Sequence, residues 1–372
     1  LTGDVVSTST DKSDDDYSYG IYADNFGTDS TISTSGNVTS SDRGIYSYSD
    51  GSGALSITST GDVTALGGIG VSADTGDWAS GSAAASTATD INITVSNVTA
   101  YADGITSDNY GTGSSTIVAT GHITGGSGQL DQTNGADGID VFNHTTATDL
   151  SISAANVTGL DDGIAAENLG SGALSINLTG DVVSRSTDES DNDYSYGISA
   201  NNYGTNSVIS TSGNVTSNDA GIASWNDGSG SLSITSTGTV TAKGWNGIYA
   251  DTGDWTSGSQ TSSSATDINI TANNVTAYSD GIRANNYGTG STTINATGEV
   301  IGGSGQIDQT SGDNGIYAFN HTTATNLSIS AVNVTGLDEG INAWNNGSGA
   351  LSINLTGDVV STSTDKSDDD YS

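Results

Sequence analysis

The sequence contains no Pro, no Cys and no Met, and sets only 6 Lys+Arg against 43 Asp+Glu. Each shortage excludes something. Without Cys there is no disulfide staple. Without Met, Leu1 is not an expected translational start, so a processed or excerpted chain is anticipated. A net charge of −37 argues against nucleic acid or an anionic membrane as partner and makes cations the natural counterions. No signal peptide and no membrane span is visible in this segment. A cysteine-free, acidic chain rich in Ser, Thr, Asn and Gly suits export through a Gram-negative envelope, so an extracellular or cell-surface location is expected.

What is present is repetition. LTGDVVSTSTDKSDDDYSYGIYADN from Leu1 returns as LTGDVVSRSTDESDNDYSYGISANN from Leu178 and begins again at Leu355, a period of 177 residues. The units are 1–177, 178–354 and a partial 355–372. Near-identical blocks joined head to tail are the mark of an array. Inside each block a Gly followed by Ile or Val recurs six times, first at Gly20, Gly44, Gly70, Gly104, Gly138 and Gly163. In the second block these anchors are Gly197, Gly221, Gly247, Gly281, Gly315 and Gly340, with spacings of 24 to 34 residues. About two dozen residues make one winding, and the excess loops outward.

Each winding reads as an extended piece, a Gly-rich corner, an alternating piece such as Ala54–Thr60, a Gly, and a short piece such as Asp62–Thr64. Alternation of apolar with small polar residues is the period of a strand with one buried face, and no segment holds a helical period. The expectation is an all-β, right-handed parallel β-helix of three strands per coil and about six coils per repeat, continuous over 1–372. Ile21, Leu55, Ile57 and Val63 point inward as representatives of their columns. Parallel strands would stack at about 4.8 Å, and a ladder paired above and below leaves no place for Pro. The many glycines are expected to supply positive-φ corners. With 33% apolar residues the core is thin, so stacking must make the fold cooperative.

Five residues after each anchor lies a polar column: Asn25, Ser49, Thr75, Asn109, Asn143, Asn168, Asn202, Asn226, Thr252, Asn286, Asn320 and Asn345. Stacked amides form a hydrogen-bonded ladder. The competing reading is that Asn tolerates a left-handed corner.

Candidate chemistry is sparse. No catalytic residue is assigned, because the bases Lys12, Arg43, Arg185, Lys243, Arg283 and Lys366 do not form a matched groove with carboxylates: Arg43 becomes Ala220 and Arg283 stands where the first copy has Thr106. His144 and His321 match, but each lacks the second His or Cys of a transition-metal site. The acidic loops holding Asp14, Asp15, Asp16, Asp191, Asp193, Asp368, Asp369 and Asp370 are oxygen-rich enough for calcium, the one cofactor considered. The bland reading is a solvated loop. Outward aromatics are expected at Tyr22, Tyr46, Tyr48, Phe142, Trp225, Tyr249, Tyr317, Phe319 and Trp344, with Trp78 and Trp255 in long loops. They either stack on sugars or another rod, or are covered by the loops.

The pieces GIxAxN (GISANN at Gly197), GxGSxxIxxTG (GTGSSTIVATG at Gly111) and DVT (Asp62–Thr64) recur along the whole chain. In these it resembles the passenger repeats of Gram-negative autotransporter and filamentous-haemagglutinin-type adhesins. The resemblance implies a surface-exposed β-helical shaft. The reading is a structural fibre or adhesin shaft, with self (continuing repeats or neighbouring fibres) and surface glycans or matrix as partners. A glycan- or calcium-binding adhesin module comes second, and a polysaccharide-degrading β-helix third.

Overall fold

A computed structural model describes residues 1–8, 18–76, 85–129, 135–186, 195–253, 260–306 and 313–363. Among these the chain is all β-strand, with no helix and hence none long and apolar enough to cross a membrane. It forms two compact units, Leu1–Asp193 and Tyr194–Ser372. Each is a parallel β-helix. The sequence repeat boundary at 177/178 cuts the strand Leu174–Leu178. A repeat has no natural phase in sequence, whereas a unit ends where its last winding closes.

In the first unit the anchor strands Tyr19–Asn25, Arg43–Ser49, Val71–Asp74, Ile105–Asn109, Ile139–Asn143 and Ile164–Asn168 stack in parallel. Their register never slips: Ile21 lies on Ile45, then Val71, Ile105, Ile139 and Ile164. A second column stacks Ile32, Ile57, Ile93, Ile117, Ile152 and Ile176. A third stacks Val38, Val63, Val98, Ile123, Val157 and Val182. The second unit repeats the plan. Its columns are Ile198, Ile222, Ile248, Ile282, Ile316 and Ile341; Ile209, Ile234, Ile270, Ile294, Ile329 and Ile353; and Val215, Val240, Val275, Val300, Val334 and Val359.

These three rows of β-branched side chains form the core together with a further inward row that includes Leu55, Ile91, Leu150 and Leu174. Leu55, Ile57, Ile93, Ile117 and Val157 are wholly buried, while Ile21 in the first winding is half-buried. Each buried Ile contributes about 1.5–3 kcal/mol, and β-branching suits the pleat. Between the rows, hydroxyls fill the remaining volume by pairing: Thr34 Oγ1 and Ser59 Oγ lie 3.0 Å apart, as do Thr211 Oγ1 and Ser236 Oγ at 2.9 Å.

Two expectations are corrected. The second and third strands are not always separate. In several windings they run as one element, such as Ser115–Thr124 and Leu232–Ala242, bent by a register shift at Ala119/His122 and at Ser236/Thr239. A bulge turns the corner while the hydrogen bonding continues on both sides. Few of the many glycines are positive-φ corners either: among described residues positive φ occurs at Gly53, Gly126, Gly128, Gly303 and Gly305 only. The anchors are glycine because the windings close onto them. A Cβ on Gly104 would sit 2.5 Å from Gly138 O and 2.6 Å from Ile123 Cγ2, and the same collision recurs at Gly44, Gly138, Gly221 and Gly281.

Candidate functional face of the anchor strands

Alternation along GIxAxN sends the first, third and fifth residues after the anchor inward and the second and fourth outward. The inward fifth position is the Asn column. Asn109, Asn143, Asn168, Asn202, Asn226, Asn286 and Asn320 are completely buried, whereas Asn25 and Asn345 lie in the outermost windings and are half-buried. Side chains link in places from winding to winding: Thr75 Oγ1 to Asn109 Oδ1 at 3.1 Å, Asn143 Nδ2 to Asn168 Oδ1 at 3.2 Å, and Asn202 Nδ2 to Asn226 Oδ1 at 3.1 Å. Thr252 Oγ1 reaches Asn286 Oδ1, and Asn320 Nδ2 reaches Asn345 Oδ1. Each amide also closes its own turn. Gly27 N donates to Asn25 Oδ1, Gly111 N to Asn109 Oδ1 and Gly288 N to Asn286 Oδ1. No described non-glycine residue has positive φ, so a left-handed corner is not what selects Asn here.

Three further Asx columns went unrecognised in the sequence. At the corner before the second strand, Asp29, Asp90 and Asp149 accept the backbone N–H of Ala54, Ser114 and Ala173 one winding on. Asn206, Asp267 and Asn326 do the same for Ser231, Ser291 and Ala350. At the corner before the third strand, Asn37, Asn97, Asn214 and Asn274 accept from Asp62, His122, Thr239 and Glu299. Beside the anchors, Asp103 and Asp137 accept from Asp137 and Asp162. The available signal was an Asp or Asn at the corner before the second strand in alternate windings, at Asp29, Asp90, Asp149, Asn206, Asp267 and Asn326, with Ala or Ser in the windings between. Many carboxylates are therefore coil-to-coil connectors, since a charged acceptor makes a strong bond to an N–H.

The outward positions hold rings and carboxylates. Tyr22 is 53% exposed and Trp344 58%, as anticipated for outward rings, and Phe26, in the same winding as Tyr22, is 70% exposed. Tyr48 and Tyr249 are not exposed: at 9% and 7% they are buried, Tyr48 Oη donating to Gly76 O and Tyr249 Oη to Asp251 Oδ2. A ring stacked between windings is covered by its neighbours, and its hydroxyl then requires a partner. Tyr46, Phe142, Trp225, Tyr317 and Phe319 are half-buried in rows such as Tyr22–Tyr46, whose centroids are 5.7 Å apart and planes 2° from parallel. His144 stacks on Tyr110 at 5.0 Å and His321 on Tyr287 at 5.1 Å.

The carboxylates of this face are perturbed. Burial, then Asp74, Asp140 and Asp103, push Asp108 up to about 7; burial, then Asp103 and Glu167, push Asp140 up to about 6. Asp137 and Asp103 are also raised, chiefly by burial. Arg283 pairs with Asp280 at 3.2 Å and lies 4.7 Å from the Tyr317 ring centroid, while Arg43 lies 5.7 Å from that of Tyr46.

The proposed calcium loops, with Asp14, Asp15, Asp16, Asp191, Asp193, Asp368, Asp369 and Asp370, lie outside the described residues, as do Trp78 and Trp255. Among the described residues no group of three His, Cys, Asp or Glu side chains is placed to hold a metal ion. Compared with known proteins, the chain matches no family model, no curated protein and no solved structure.

Proposed function

We propose that this chain is a length of shaft: a structural fibre or adhesin stalk, exported to the surface of a Gram-negative cell, that spans distance and presents repeated loops. The observation that carries the reading is the use of the polar residues. Asx, Ser and Thr side chains at the corners are committed to bonds between windings. Such residues extend an object along one axis, and an unbroken register rewards repetition over a localised cleft. No residue is given a catalytic role. Covalent continuation through further repeats and pairing with neighbouring fibres both follow from that plan.

The test is cellular. Antibodies against the 177-residue block should label intact, unpermeabilised producing cells along projecting fibres. Label seen only after lysis would refute the proposal. A second reading, a glycan-binding stalk, is favoured by the exposed rings of Tyr22 and Phe26 on the first winding. It predicts saturable glycan-array binding that Tyr22→Ala together with Phe26→Ala abolishes; a shaft without lectin activity gives none.

A further inference from the structure

The anchor-strand face of the first unit stacks carboxylates in successive windings. Asp108 is the in-register neighbour of Asp74, and Thr106 that of Asp140, so Asp140 lies diagonal to Asp108. At the adjoining corner Asp137 N donates to Asp103 Oδ1 at 2.9 Å, which holds Asp103 and Asp137 one above the other. Like charges on opposed strand positions repel, and partial burial leaves less water to screen them.

The groups around them are almost all acids. Asp74, Asp140 and Asp103 act on Asp108; Asp103 and Glu167 on Asp140; Asp140, Asp103 and Asp161 on Asp137. Tyr110 stands beside Asp108 and Asp74, and Tyr46, with Arg43 against its ring, faces Asp74. The other described arginine of this unit, Arg185, donates to the carbonyls of Gly125 and Gly126, and the Leu1 ammonium donates to Ser33 O.

The second unit solves the same stacking problem with different residues. Asn285 stands for Asp108, and its Nδ2 donates to Asp251 Oδ2 at 3.3 Å. Asn314 stands for Asp137, and its Nδ2 donates to Asp280 Oδ1 at 2.9 Å. Arg283 stands for Thr106 and pairs with Asp280, beside Tyr317 in the place of Asp140. At these positions repulsion has become donation. A protonated carboxyl would supply the same thing in the first unit, one O–H donor between acceptors.

We propose that Asp103, Asp108, Asp137 and Asp140 form a proton-operated clasp that tightens the anchor-strand face of the first unit in mildly acidic medium and loosens it in alkaline medium, while the matching strands of the second unit respond less. The clasp depends on the fold, not on the shaft reading. Because the folded-state carboxyls titrate above the ordinary range, their contribution is complete below about pH 4 and is lost as pH rises through about 6 to 7.

The test is hydrogen exchange on the intact chain at pH 5 and pH 8, corrected for intrinsic rates. Opening of Ile105–Asn109 and Ile139–Asn143 should rise roughly tenfold or more at the higher pH, and that of Ile282–Asn286 and Ile316–Asn320 by less than about threefold. Asp108→Asn with Asp137→Asn should remove the difference. Should that variant misfold, carboxyl-carbon titration of the natural chain decides: midpoints for Asp108 and Asp140 above about 5.5 support the clasp, and midpoints near 4 overturn it. An equal pH response of the matching anchor strands in the two units overturns it. So does a pH 8 loosening that calcium chloride reverses, which would make the cluster a cation site.

Discussion

A buried asparagine in this fold can serve three windings at once. Asn143 donates to Asp149 O at 2.9 Å within its own winding and to Asn168 Oδ1 in the next, and accepts from Ser115 Oγ. Asn143→Ala leaves those partners unsatisfied in a dry interior, and a loss of about 1–3 kcal/mol is expected from chemical denaturation. The anchor glycines obey a different constraint. Gly104→Ala drives a methyl group against Gly138 O, a backbone atom fixed by the ladder, so a loss of about 1–3 kcal/mol should appear as a lower denaturation midpoint. In the second unit, burial pushes Asp219 up to about 6. A raised carboxyl favours the fold below about pH 4 and stops doing so as pH climbs through 6. Asp219→Asn should therefore raise the melting temperature at pH 7.5 relative to the natural chain and leave it nearly unchanged at pH 3.5; the opposite order contradicts that environment.

At the scale of the strand, register is the controlling quantity. Ser153 faces outward between Val118 and Asn177, with ladder bonds on both sides. Ser153→Pro deletes a donor without touching the core and should cost about 3 kcal/mol or more, while Ser153→Val should stay within about 0.5 kcal/mol. Equal stability of the two variants would mean that the strand is not held in a central ladder. The inward rows were readable in advance because Ile57 and Val63 alternate with small polar residues, and the Asn column because it keeps a constant offset from the anchor. The Asx connectors were hidden because Asp29 or Asp103 bonds to a residue 25 or 34 positions on, a distance that changes with each outward loop. The burial of Tyr48 and Tyr249 was one of the two readings left open by their outward positions. Alternation gives the direction in which a ring leaves the strand, not what covers it. Fusion of the second and third strands was masked by Gly121 and Gly238, which read as breaks but sit within continuous elements.

At the scale of the molecule, each unit builds six windings on the same inward rows, and its acidic residues divide between corner connectors and the anchor-strand face. A chain with 43 acidic residues can fold this way because many carboxylates accept N–H donors where a neutral acceptor would also serve, as Asn206 and Asn326 do where the first unit has Asp29 and Asp149. The central claim is that the windings stack in register. Cryo-electron microscopy of a chain of many 177-residue blocks measures it directly. The account predicts an axial spacing of about 4.8 Å with a super-repeat of about 29 Å, six windings to the block. Strands running along the long axis, or a super-repeat unrelated to six windings, would contradict it.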